Sequence, residues 1–222
     1  LFAKFLKFDP KNPTWPNRDR FILSAGHGSM LIYALAYLLG YEEMTLEQIK
    51  NFRQLGFKTA GHPEVEPEIA IEMTTGPLGQ GISTAPGFAL AERILHDKYG
   101  EYCDHFTYVL ASDGDLMEGI SHESSSLAGH LKLGKLIVLY DQNGITIDGS
   151  TDLSFTEDVA ARYESYGWHV QSIDGHNASE IERAIAAAQE NDHPSMICCR
   201  THIGFGSPTK QGSAAAHGAP LG

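Results

Sequence analysis

The stretch Ser112-Asp113-Gly114-Asp115-Leu116-Met117-Glu118-Gly119, with Tyr140-Asp141-Gln142-Asn143-Gly144-Ile145 further along, decides the fold of this chain. Short apolar runs, residues 107–111 and 136–140, lead into the two stretches. Runs of this length, rich in β-branched or aromatic residues and bounded by polar and glycine turns, predict buried strands. The segment at residues 118–131 is long enough for a crossover helix, so the pattern predicts a βαβ unit whose strands are parallel.

Asp113 and Asn143 directly follow these two predicted strands. Parallel strands end at the same sheet edge, where open α/β sheets bind ligands, so both side chains are expected at one site. With a backbone carbonyl at Ile145 they would supply half of the octahedral oxygen shell of Mg²⁺, and a diphosphate and water would complete it. Gly114 lets the main chain approach a phosphate closely. Asp-Gly and Asn-Gly are also ordinary turn dipeptides, but both together after strands favour the metal site.

At these residues the sequence resembles the transketolase family of thiamine diphosphate enzymes. Asp113-Gly114 and Asn143 match the thiamine diphosphate signature, in which Gly-Asp-Gly is followed at a similar distance by Asn. The resemblance covers essentially all 222 residues, and further stretches match the family's pattern at residues 24–30, 74–81, 115–123, 127–136 and 217–222.

Two residues depart from that pattern. Ser112 replaces the first Gly of the signature, which a strand end should absorb. Asp115 stands where the family more often has Cys or another uncharged residue, and it adds a negative charge close to the expected diphosphate. That charge would be tolerable if its carboxylate points away from the diphosphate or if the cation offsets it.

Histidines and one glutamate are assigned roles chiefly by the resemblance. His27 lies between two glycines before a predicted helix, where backbone amides face an anion, and is expected to contact the cofactor; alternatively it only caps the helix. His62 is expected beside the reacting carbon, and His217 at both diphosphate and substrate. Glu118 is expected at a dimer interface, paired with a carboxylate of the partner's cofactor site, although a carboxylate at a helix start also suits the helix dipole.

The resemblance also assigns the remaining site residues. Gly76, Pro77 and Leu78 would form a rigid segment against the cofactor's rings, unless they are a simple helix entry. The expected set is His62, His217 and Glu118 as catalytic residues; His27, Gly76, Pro77, Leu78, Gly114, Asn143 and His217 at the cofactor; and Asp113, Asn143 and Ile145 at the metal.

Composition limits the partners and the compartment. A net charge of −12 argues against nucleic acid and anionic membrane surfaces as partners. No apolar run approaches the roughly twenty residues that a membrane-spanning helix needs. Three cysteines, two of them adjacent at Cys198 and Cys199, make no disulfide framework, so we expect buried free thiols in the cytoplasm.

The predicted fold is α/β, with a mostly parallel sheet and helices on both faces. We expect residues 1–222 to form one thiamine diphosphate-binding domain, without the family's extreme amino-terminal segment and its later pyrimidine-binding and carboxyl-terminal domains. Besides the βαβ unit, the sequence predicts strands at 20–24, 168–173 and 195–201, loops at 57–77 and 203–222, and helices at 27–39, 46–53, 80–99, from the cap Thr156 to 166, and from the cap Asn177 to 190.

The resemblance implies a homodimeric transketolase of the pentose phosphate pathway or Calvin cycle, with its active site at the subunit interface. Such an enzyme transfers a two-carbon ketol unit between sugar phosphates, using thiamine diphosphate and Mg²⁺, for which Ca²⁺ can substitute. Two alternatives remain open at this point. One is a dihydroxyacetone synthase-like transferase, and the other is a non-catalytic, cofactor-binding paralogue subunit.

Overall fold

A computed structural model describes residues 1–219, so residues 220–222 of the motif at 217–222 lie outside the described residues. A parallel sheet of five strands runs through the domain in the order β1-β2-β3-β7-β6. A small antiparallel hairpin, β4 and β5, follows β3. The strands are β1 (Arg20–Leu23), β2 (Thr107–Ser112), β3 (Leu136–Gln142), β4 (Ile145–Thr146), β5 (Gly149–Ser150), β6 (His169–Asp174) and β7 (Ser195–Arg200).

Helices cover both faces of the sheet, as the sequence predicts. They are α1 (Met30–Leu39), α2 (Leu46–Lys50), α3 (Gln80–Tyr99), α4 (Asp113–Met117), α5 (Gly119–His130), α6 (Val159–Ser165) and α7 (Ala178–Gln189). Alternate strand residues point to opposite faces, so Tyr108 packs with α1 and α7 in one apolar cluster while Val109 packs with α3, α5 and α6 in the other. The α/β architecture is therefore confirmed.

Most predicted elements are confirmed, but four details of the sequence prediction are wrong. Helix α1 begins at Met30 rather than at residue 27, because Gly26–Gly28 forms a separate 3₁₀ turn. The segment after β2 begins with an additional short helix, α4, because Ser112 and Asp115 form a capping box there. Asp158, rather than Thr156, caps α6, with its side chain accepting a hydrogen bond from the backbone amide of Ala161. Helix α2 ends at Lys50, three residues before the predicted end at residue 53.

Within residues 1–219, none of the helices combines the length and the apolar character that crossing a membrane would require. Cys103, Cys198 and Cys199 are all free and buried, which confirms the expectation of buried thiols.

Candidate cofactor and metal site

The polar residues that follow β2 and β3 meet at the carboxyl-terminal edge of the sheet. Strands β2 and β3 pair in parallel, with Ser112 opposite Asp141, so the chain leaves both strands at the same level. Asp113 is buried, and its two carboxylate oxygens accept hydrogen bonds from the Tyr140 hydroxyl at 2.5 Å and from the Gly144 amide at 3.0 Å. The loop after β3 thus contacts the carboxylate that follows β2.

Burial raises the pKa of Asp113, although the hydrogen bonds from Tyr140 and Gly144 oppose that shift. A carboxylate in this position is costly to leave without a positive charge nearby, because water no longer solvates it fully. Each oxygen accepts one hydrogen bond and keeps a lone pair for another contact. The environment of Asp113 therefore suits a carboxylate that coordinates a cation.

The side chain of Asn143 is held in one orientation by its neighbours. Its amide nitrogen donates to the Asp141 carboxylate at 3.1 Å, and its amide oxygen accepts from the backbone amide of Ile145 at 3.0 Å. Asp141 in turn accepts a hydrogen bond from the hydroxyl of Thr201. Thr201 is the first residue after β7. An amide oxygen with a second free lone pair, beside the Asp113 carboxylate, is a hard donor of the kind that Mg²⁺ and Ca²⁺ prefer. The donor set fits such a cation.

Asp115 is turned into the protein. Its carboxylate is completely buried and accepts hydrogen bonds from Ser24 and Gly79 on one oxygen and from Ser112 on the other. The charge at this position is therefore satisfied by hydrogen bonds inside the protein.

The segment from Gly76 to Leu78 packs against the turn that carries Asp113. A Cβ at residue 114 would lie 2.9 Å from Leu78 Cδ1, so the glycine permits a close contact between the two segments. Gly76 has a φ of 144°, and a Cβ there would lie 3.2 Å from the ring of His62. Pro77, next to it, is exposed. The structure thus brings the predicted ring-contact segment beside both Gly114 and His62.

Three histidines gather near this segment. The rings of His27 and His217 are stacked, with centroids 4.7 Å apart. Burial lowers the pKa of His27, and the charges of His217 and His62 lower it further, so these three side chains share one electrostatic environment. His217, in the long segment after β7, therefore lies at the same site as His27.

His62 is exposed at the tip of a loop whose base is fixed. The hydroxyls of Ser29 and Tyr33 donate to the backbone carbonyls of Gly61 and Ala60, at 2.9 and 3.0 Å. On the other side of His62, the carbonyl of Pro63 accepts from the Thr75 amide at 3.1 Å. An exposed imidazole on a fixed backbone is free to meet a substrate.

Glu118 lies at the junction of α4 and α5, and it is exposed. A Cβ at Gly79 would lie 2.7 Å from Glu118 Cβ, so this residue packs against the start of α3, beside the predicted ring-contact segment. An exposed carboxylate at that place is available to a partner subunit. Its role in pairing with the partner stays a prediction.

Sequence reasoning missed the residues that support the predicted ligands. Tyr140 holds Asp113, while Asp141 and Thr201 hold the amide of Asn143. The available signal was the hydroxyl of Tyr140, which ends the apolar run at 136–140, and the carboxylate of Asp141, which directly follows it. Only the pairing of β3 with β7 brings Thr201 next to Asp141.

A second cluster with metal-ligand chemistry, Glu92, His96 and Asp104, lies elsewhere in the described part of the chain. The ammonium of Lys135 forms ion pairs with both carboxylates, and His96 Nδ1 lies 2.9 Å from the Cys103 carbonyl. A lysine thus already provides the positive charge, and this cluster does not compete with the Asp113 site as a metal centre.

Comparison with known proteins gives one consistent family. The model of the transketolase, thiamine diphosphate binding domain matches residues 1–222. A transketolase of Cereibacter sphaeroides is 59% identical over 223 residues, which cover 100% of this chain and 34% of that protein. The chain therefore spans about a third of the length of the curated relatives it matches.

Solved structures agree with the sequence comparison. Transketolase from Leishmania mexicana superposes with a TM-score of 0.96 at 47% identity, covering 100% of this chain and 34% of that one. A transketolase of Pichia stipitis in complex with sedoheptulose 7-phosphate gives a TM-score of 0.93 at 49% identity, covering 98% of this chain and 33% of that one. The chain belongs to the transketolase family, as its thiamine diphosphate-binding domain.

Proposed function

We propose that this domain works in a transketolase, which transfers a two-carbon ketol unit from a ketose phosphate to an aldose phosphate. The observation that carries the proposal is the position of Asp113, held by Tyr140 and Gly144 beside Asn143 at one sheet edge. The solved relative with sedoheptulose 7-phosphate supports sugar phosphates as substrates. The pathway that we propose for this enzyme is the pentose phosphate pathway. The relatives' names do not favour a dihydroxyacetone synthase-like transferase. The intact donor set argues against a non-catalytic paralogue.

In the proposed site, Asp113, the amide oxygen of Asn143 and the carbonyl of Ile145 hold Mg²⁺, and Ca²⁺ can substitute for it. The cation offsets the charge of Asp113 and allows a diphosphate to bind beside it. Gly114 permits close approach of the main chain to that diphosphate. The support for this arrangement is the chemistry of the donors and the burial of Asp113.

The cofactor and the substrate are contacted by the remaining residues of the site. Gly76, Pro77 and Leu78 form the surface for the cofactor's rings, and His27 donates a hydrogen bond to the diphosphate. Thiamine diphosphate, when bound, supplies the carbanion stabilisation that ketol transfer requires. His62 and His217 then orient the sugar and exchange protons with its reacting oxygens.

The proposed assembly is a homodimer whose active sites lie between subunits. Glu118, exposed at the start of α5, pairs across that interface with a carboxylate beside the partner's cofactor. The relatives are about three times as long as this chain, which supports further pyrimidine-binding and carboxyl-terminal domains in the working enzyme. Three buried free cysteines support a cytoplasmic location.

The decisive experiment is a ketol-transfer assay of the protein expressed from its complete gene, supplied with Mg²⁺ and thiamine diphosphate. We expect transfer from a ketose phosphate such as sedoheptulose 7-phosphate to an aldose phosphate. A folded protein that binds the cofactor but transfers no ketol unit would contradict the proposal.

The isolated 222-residue chain is expected to be inactive under the same conditions. Its site holds residues for the diphosphate and the metal, whereas the proposed pyrimidine-binding domain of the partner is not among these 222 residues. Circular dichroism serves as the control that the chain is folded. Turnover comparable to that of the complete enzyme would mean that one domain suffices, and the proposed interface site would be wrong.

A further inference from the structure

The carboxylate of Asp115 accepts more hydrogen bonds than capping a helix requires. One oxygen accepts from the Ser24 hydroxyl at 2.7 Å and from the Gly79 amide at 2.9 Å. The other accepts from the amide of Ser112 at 2.9 Å and from its hydroxyl at 3.1 Å. The two oxygens of a carboxylate accept four hydrogen bonds, so its capacity is filled at zero solvent exposure.

The donors come from three separate parts of the chain. Ser24 follows β1, Gly79 precedes α3, and Ser112 ends β2. The Ser24 hydroxyl also accepts from the amide of Ile82 at 3.0 Å, which adds a second connection to α3. Asp115 therefore joins the end of β1, the start of α3 and the turn that carries Asp113.

These connections lie directly beside the cofactor-contact residues. Gly79 follows the Gly76–Leu78 segment, and Asp113 and Gly114 immediately precede Asp115. The backbone carbonyl of Asp115 also accepts from the Ser121 hydroxyl at 2.5 Å, which attaches α5 to the same turn. A shift of Asp115 would move the metal ligand relative to the surface that meets the cofactor's rings.

We propose that Asp115 is a positioning residue, whose buried carboxylate fixes the distance between the metal-ligating turn at Asp113 and the ring-contact segment at Gly76–Leu78. This inference rests on the proposed function, because it concerns how the same site binds magnesium and thiamine diphosphate together. Because the Asp115 carboxylate has no exposure to solvent, it serves the site through geometry rather than by contact with the cofactor.

The chemistry of residue 115 explains why Ser112 accompanies it. Asparagine would offer one acceptor oxygen and would turn its amide N–H groups toward the N–H of either Ser112 or Gly79. Cysteine offers only a weak sulfur acceptor. A glycine at residue 112 would remove the hydroxyl donor. The two departures from the family's pattern are thus the two halves of one hydrogen-bonded pair.

The test uses the complete protein and the variants Asp115→Asn and Asp115→Cys, the second of which carries the residue more usual in the family. Affinity for thiamine diphosphate is measured by calorimetric titration at fixed Mg²⁺. We expect the Kd to rise roughly 10–100-fold, the range for residues that support metal ligands. At saturating cofactor, turnover should largely return, because Asp115 does not touch the substrate.

Asp19→Asn is the matched control. Asp19 is also a buried carboxylate that accepts backbone hydrogen bonds, from Lys7 and Phe106, but it lies at the opposite end of β1. Both Asn variants should lower the Tm of the cofactor-free protein, whereas only the change at residue 115 should weaken cofactor binding. If Asp115→Asn, Asp115→Cys and Asp19→Asn share the wild-type Kd, the inference is wrong. If the wild-type protein itself binds no thiamine diphosphate, the proposed function fails instead.

Discussion

Replacing Asp113 with alanine should remove magnesium-dependent binding of thiamine diphosphate almost completely. The buried Asp113 carboxylate is the one strong anionic ligand of the proposed cation site, and a diphosphate cannot approach Asn143 and Ile145 favourably without that cation. Residues that only support metal ligands contribute about 10–100-fold to affinity, so loss of the ligand itself should cost at least that much. Calorimetric titration of the complete protein with thiamine diphosphate, at fixed Mg²⁺ and again with chelator, measures the effect.

Asp148→Ala provides the matched control for charge. Asp148 is an exposed carboxylate in the hairpin between β4 and β5, so its removal changes the net charge near the site without removing a proposed ligand. Its Kd should stay near that of the wild-type protein. Equal affinities for the wild-type and Asp113→Ala proteins, in the presence or absence of chelator, would exclude Asp113 as a metal ligand.

The same site illustrates what the sequence can predict. Asp113 and Asn143 are predicted to lie together because each follows a short apolar run, whose length, β-branched or aromatic residues and flanking turns indicate a strand. The helix at residues 80–99 was predicted with its observed bounds, since Gly100 ends it and Pro86 is tolerated within it. Local chemistry determines these features, so one sequence suffices.

Features that depend on tertiary pairing could not be predicted in this way. The contact of Thr201 with Asp141 exists because β7 inserts between β3 and β6, and nothing near Asp141 in the sequence indicates that order. The inward orientation of Asp115 likewise requires Ser24 and Gly79, which are remote in sequence. The arrangement of the three histidines also depends on tertiary contacts, because His27, His62 and His217 come from three distant segments of the chain.

Replacing His62 or His217 with alanine should slow ketol transfer by roughly 10²–10⁴, the range for loss of a positioned acid/base group. His62 is exposed and His217 is half-buried, so neither ring contributes much to the core and the Tm should change little. His27 is expected to differ, because its ring stacks on His217 close to the proposed diphosphate site, and His27→Ala should weaken cofactor affinity as well as rate. Single-turnover rates at saturating cofactor, compared with thermal unfolding, measure both quantities.

His130→Ala is the matched control for these variants. His130 is an exposed histidine at the end of α5, on a different element from the three site histidines, and its loss should leave rate, affinity and Tm unchanged. A loss of thermal stability without a loss of rate would contradict the roles assigned to His62 and His217. If His62→Ala and His217→Ala unfold many degrees earlier while their folded fraction transfers ketol units at the wild-type rate, both histidines hold the loops in place and take no part in the chemistry.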